Sequence, residues 1–168
     1  MITAMQPVLR QLDEFPRRLR EGLERGLEQA AEHLRASVAA LAKQPFGVPA
    51  RPPLGELAAS VRSSVEVSGN DAAAHIFLAP PADRYGIFVE TGSAPHFPPP
   101  GALEGWVQRR LGIGDAKQAR QVAFLIGMKI ARQGTEGRRI FEHALRASEE
   151  KVVAILDQAV KTALEGER

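Results

Sequence analysis

From Leu9 to Leu41 apolar residues return every three or four positions: Leu12, Phe15, Leu19, Leu23, Leu27, Ala30, Leu34, Val38 and Leu41. That spacing lays one stripe along an amphipathic helix of roughly 50 Å. Arginine and glutamate fill the opposite face, with pairs such as Glu21 and Arg25 at the i,i+4 spacing. Pro16, close to the start, is expected to set the first turn apart from the rest. A stripe this long exceeds what a small sheet covers. Part of it is expected to pack on the last helix or on another subunit.

The pattern then breaks. Pro45, Gly47, Pro49, Pro52 and Pro53 make a loop of residues 44–55, long for a compact domain and of the kind that is functional or ordered on binding. It carries Phe46 and Val48, and it is expected to be mobile in the isolated subunit and ordered in an assembly. Next, Leu57, Ala59, Val61, Ser63, Val65 and Val67 alternate with Ala58, Ser60, Arg62, Ser64, Glu66 and Ser68, the period of a half-buried strand. Gly69-Asn70-Asp71 predicts a turn, and residues 74–78 a returning strand that Pro80 and Pro81 stop. Tyr85 to Glu90 reads equally as a third strand or a single helical turn.

Helical spacing resumes afterwards. Leu103, Trp106, Val107 and Leu111 share a face, and Gly112-Ile113-Gly114 stops that helix. Asp115 is suited to cap a helix carrying Ala119, Val122, Ala123, Ile126 and Ile130 and ending at Gly134. A last helix over 140–164 shows Phe141, Leu145, Val152, Ile155, Ala159 and Ala163. The order is a long N-terminal helix, a small antiparallel sheet of two to three strands, and three further helices. It predicts an α+β fold. Length predicts a single domain over 1–168, divided into a long helix (9–43), a proline-rich loop (44–55), a small sheet (56–92), and a proline corner with three helices (93–168).

Composition narrows the chemistry. The chain has no cysteine, which removes disulfides, thiol catalysis and cysteine–zinc sites together. No window reaches the ~18 consecutive apolar residues of a membrane span. The first residues lack a basic-then-apolar signal layout, so the expected place of action is a cytoplasm or a particle assembled there. Net charge is +2, but it is unevenly spread. Residues 101–140 hold eight basic residues (Arg109, Arg110, Lys117, Arg120, Lys129, Arg132, Arg138, Arg139) against three acidic ones. Residues 141–168 hold four basic against six acidic. The first window is either a set of solvated helix faces or a basic surface meeting an acidic partner, protein or nucleic acid.

The familiar catalytic constellations are missing: no G-x-S-x-G elbow, no H-E-x-x-H pair, no P-loop and no G-x-G-x-x-G. His33, His75, His96 and His143 are scattered, and His96 between two prolines lacks the companions a metal needs. Ser93 and His96 are too local for a hydrolytic triad, which fold geometry assembles. No catalytic residue, cofactor or metal ligand is expected. Trp106 reads as a core or interface anchor.

One stretch stands apart, from Arg84 to Pro100. The apolar run Tyr85, Ile87, Phe88 and Val89 ends at Glu90-Thr91-Gly92, and Pro95, Pro98, Pro99 and Pro100 stiffen the exit. Gly92 suggests a tight turn with positive φ or a close backbone approach. Glu90, at the edge of an apolar run, needs a partner: backbone N–H groups at the turn, or an arginine of a neighbouring subunit, with Arg138 or Arg139 the first choice. Phe97, held between His96 and Pro98 on extended backbone, is a docking anchor that loses little entropy when it binds.

These residues carry a resemblance. Tyr85-x-x-Phe88-Val89-Glu90-Thr91-Gly92, followed by Pro95-His96-Phe97-Pro98, resembles the signature of a bacteriophage tail-component family. That family comprises tail-completion or head–tail joining (neck) proteins, including the minor tail protein Z type. Upstream, Leu54 to Val61 is similar to the family's opening strand segment. Downstream, Arg139-Ile140-Phe141-Glu142-His143-Ala144-Leu145 is similar to its phenylalanine-led last helix, without the two prolines usual there. The stretch Ala102–Gly134, with its tryptophan, belongs to only some members. The likeness covers roughly residues 50–165.

The resemblance implies a non-enzymatic structural component of a phage neck or tail end. It would act in a multi-copy ring with other neck or tail proteins, in passing contact with DNA in the channel. It implies a virion location, assembly in the host bacterial cytoplasm, and no membrane. The interface candidates are Phe46, Val48, Tyr85, Glu90, Gly92, Pro95, His96, Phe97, Pro98, Trp106, Arg138 and Arg139. The alternative is a basic nucleic-acid-binding module using residues 101–140.

Overall fold

The computed structural model describes residues 6–44, 54–68, 71–99 and 101–165, with side chains from Arg17 onward. The fold is α+β and mostly helical. The chain forms two compact units, Met1–Gly86 with Ile140–Arg168, and Ile87–Arg139.

In the first unit the leading helix α1 runs from Gln6 to Lys43 and continues through Pro16 without a break. It packs along the last helix, α6, Ile140–Glu165. The buried line on α1 is made of small residues more than of the leucines that define its stripe. Gly22, Gly26, Ala30, Ala31, Val38 and Ala42 are buried, whereas Leu27 and Leu34 are half-buried and Leu23 is exposed. Small residues let the two backbones approach closely. A Cβ built at Gly22 would lie 2.5 Å from the Cβ of Ala163, and one at Gly26 2.5 Å from that of Ala159. Further along, the buried Ser148 hydroxyl donates to Ser37 Oγ at 3.1 Å, and Ser37 donates to the carbonyl of His33 at 2.9 Å. A polar pair thus sits satisfied in an apolar seam.

The stretch expected to open the first strand at Leu57 differs. Residues Gly55–Ser60 form a short helix, α2, which buries Leu57, Ala58 and Ser60. Leu57 and Ala58 would face opposite ways in a strand, and here both are buried because one helical turn faces α1. Alternating residues cannot reveal this. Strand β1 begins at Val61, runs to Ser68, and pairs antiparallel with β2, Asp71–Leu78, in the register Val61↔Leu78 through Ser68↔Asp71. Val61 is fully buried, and both strands also pack on α1.

The apolar run after the prolines resolves as helix: α3 spans Asp83–Thr91. The buried Gly86 leaves room for the side chain of Leu78 at the end of β2. A larger residue at position 86 would drive its Cβ into Leu78.

The second unit holds the end of α3, the two-residue strand β3 (Gly92–Ser93), α4 (Glu104–Leu111), α5 (Ala116–Gln133) and the two-residue strand β4 (Thr135–Glu136). Val107, Ala119 and Ala123 form its core, with Leu103, Ile113, Val122 and Ile126 packed around them. The expected punctuation is present. Gly112 closes α4 in the left-handed region, and Asp115 caps α5, its carboxylate accepting the N–H of Gln118 at 2.7 Å. Strands β3 and β4 pair antiparallel, Gly92↔Glu136 and Ser93↔Thr135. Among the described residues no helix is long and apolar enough to cross a membrane.

Candidate functional site: the corner of residues 84–99

The corner is built from three local causes. Helix α3 ends at Thr91, whose hydroxyl donates to the carbonyl of Ile87 at 2.8 Å. Gly92 then turns the chain with φ 80, and a Cβ there would run into the backbone of Thr135 and Gly137. Both reasons for glycine, the positive φ and the close approach, hold at this one residue. Beyond Ser93 the prolines keep the chain extended to Pro99.

The returning chain locks this turn from the other side. Arg138 N–H donates to the carbonyl of Val89 at 2.7 Å, and Arg139 N–H to the carbonyl of Glu90 at 3.1 Å. The hydroxyls of Ser93 and Thr135 lie 2.9 Å apart. Residues 89–93 and 135–139 therefore form one antiparallel brace inside a single chain. Glu90 is half-buried within it. The sequence pairs Glu90 with Arg138 or Arg139 of a neighbour, while the backbone already places both arginines beside it in its own chain.

Phe97 departs in part from the expectation that its backbone keeps it away from the domain. It is half-exposed, but its ring lies over Gly127 of α5 and tilts against Phe124, with centroids 6.0 Å apart. Gly127 makes this possible, since a Cβ at 127 would sit 3.3 Å from the Phe97 ring. Pro98 is buried against the same glycine. Gly92 and Pro98 are thus internal braces, while Tyr85, Pro95, His96, Phe97 and Trp106 are exposed. His96 Nδ1 lies 2.9 Å from the carbonyl oxygen of Ala94, a contact within the corner. Phe46 and Val48 lie outside the described residues.

Between the corner and α5 opens an apolar cavity of about 480 Å³, walled by Phe97, Pro98, Leu103, Ala123, Phe124 and Gly127. At its edge Arg120 Nε meets Glu104 Oε1 at 3.2 Å. Such a pocket accepts an apolar side chain, and its paired charges offer orientation. No group of three or more potential metal ligands occurs among the described residues.

Two contributors escape the sequence reading, Phe124 and Leu125, 56% and 67% exposed. Their signal is present in the pattern. Both fall off the stripe of Ala119, Val122, Ala123, Ile126 and Ile130, and large apolar residues off the core stripe mark a second face. Ile87 and Phe88 are also more than half exposed, so the second unit carries apolar side chains both around the corner and on α5. Compared with protein-family models, curated proteins and solved structures, the chain matches none.

Proposed function

We propose that the protein is a non-enzymatic structural component of a bacteriophage neck or tail end, acting in several copies as a ring that completes the tail or joins it to the head. The observation that carries this reading is the braced corner. Residues 89–93 and 135–139 hold each other by main-chain bonds, while Ile87, Phe88 and Phe97 stay half-exposed or more beside them. Exposed apolar side chains on a fixed frame suit burial against a partner, because little order remains to be imposed on docking. The likeness of Tyr85–Pro98 to the tail-component signature supplies the identity of that partner: further copies of the chain and other neck or tail proteins. DNA contact would be confined to passage through the channel, and the protein would reside in the virion after assembly in the host cytoplasm.

The other reading, a nucleic-acid-binding module, rests on exposed Arg109, Arg110, Lys117, Lys129 and Arg132. Binding of the purified chain to duplex DNA that weakens steeply with salt, without self-association, would favour it. The genes flanking this one test the phage reading. Portal, capsid and tail-tube genes alongside are expected, and a setting of unrelated metabolic genes would contradict it.

A further inference from the structure

The geometry points to a head-to-tail contact between copies of this chain, in which the outer face of α5 on one copy docks on the outer face of α6 on the next. The inference deepens the multi-copy reading above and rests on it.

Each of the two helices has two apolar faces. On α5 the inner face (Ala119, Ala123, Gly127) is buried. About half a turn away, Gln121, Phe124, Leu125, Met128 and Arg132 form an outer stripe at the i, i+3, i+4, i+7, i+11 spacing. Phe124 and Leu125 are more than half exposed on it. On α6 Ile140, Ala144 and Ser148 are buried on the inner face, and Leu145, Glu149 and Val153 follow at four-residue spacing on a second, open side. Leu145 and Val153 are 58% and 60% exposed. The α5 stripe spans 12 residues and the α6 stripe nine, about 17 and 12 Å of helix. A helix whose second face is apolar and open is incomplete in water.

Charge selects the occupant. Helix α5 carries Lys117, Arg120, Lys129 and Arg132 and no acidic residue. Helix α6 carries five acidic residues against three basic ones. Among the described residues, Lys117, Lys129 and Arg132 on the first and Glu149 and Glu150 on the second take part in no ion pair. All five are exposed. Pairing α5 with α5, or α6 with α6, would set like charges together. Pairing α5 with α6 sets an apolar stripe flanked by cations on an apolar stripe flanked by carboxylates. The complementary surfaces belong to one chain but are different patches, so the contact is heterologous and propagates to a ring or a filament. Nucleic acid is the poorer fit to α5, because Phe124, Leu125 and Met128 occupy the centre of the cationic face.

Two double variants test it by sedimentation of the full chain over a range of concentrations: Lys129→Glu with Arg132→Glu, and Glu149→Lys with Glu150→Lys. All four positions are exposed, and circular dichroism checks that each variant is folded. Wild type is expected to self-associate, each variant alone to associate about tenfold or more weakly, and an equimolar mixture of the two to recover. A mixture that does not recover overturns the contact. Self-association that survives in either variant also overturns it while leaving the multi-copy reading in place. Wild type that stays monomeric, or that only binds duplex DNA through Lys129 and Arg132, overturns both.

Discussion

The backbone N–H of Arg139 donates to the carbonyl oxygen of Glu90 at 3.1 Å, joining within one chain two residues that the sequence pairs across a subunit boundary. The bond uses main-chain atoms only, and Arg139 donates it from a left-handed backbone with φ 48. Its geometry depends on Gly92, two residues along. Gly92→Ala would meet both a φ of 80 and the backbone of Thr135 and Gly137. A loss of at least about 2 kcal/mol is expected, read as a lower Tm and as faster amide exchange in residues 87–139. An unchanged melt would show that the brace gives way without cost.

The seam between α1 and α6 ranks its positions. Val38 is 2% exposed and Leu27 is half-buried. Val38→Asp is expected to cost several kcal/mol and to unfold or aggregate the protein, because the new carboxylate is buried without a partner. Leu27→Asp is expected to cost distinctly less, since its side chain can turn toward water. Denaturant melts of the two variants check the order, and equal losses would contradict it.

The hydroxyl pair in that seam gives a non-additive test. Ser37→Ala removes the acceptor of the buried Ser148 hydroxyl and should cost about 1–3 kcal/mol. Ser37→Ala with Ser148→Ala removes both partners, and its loss is expected to be smaller than that of Ser37→Ala alone. Additive losses would mean that the hydroxyls do not depend on each other.

At the corner, Phe97 serves its own unit as well as the surface. Truncating it removes a tilted aromatic contact and part of the cover over Gly127. Phe97→Ala should therefore cost about 1–2 kcal/mol, well below the ~3–5 kcal/mol of a core phenylalanine. Tm should fall by roughly 2–8 °C while the folded protein fails to join tails. A larger fall, with normal joining by the protein that remains folded, would make the corner an internal brace only.

Periodicity made most of the helical frame legible, because α1, α4, α5 and α6 each repeat apolar residues at helical spacing over two or more turns. It pointed to the wrong centre on α1. Leucines define the visible stripe, yet Gly22 and Gly26 lie at the closest approach, and glycine carries no hydropathic weight. The 57–60 stretch was illegible because a single helical turn and the start of a strand share the same alternating residues. Tyr85–Glu90 was ambiguous for the same reason of length. At the candidate site, Gly92 and the proline exit were readable as chemistry of the backbone. The brace from residues 135–139 was not, since it joins segments more than 40 positions apart through main-chain atoms.

Deleting the gene for this chain from the cell that carries it, and imaging by electron microscopy any particles that cell releases, bears most directly on the proposed role. DNA-filled heads and separate or incomplete tails are expected, with joined particles restored when the gene is supplied in trans. Intact, joined virions at normal titre without the protein would contradict a structural role in the neck or tail end.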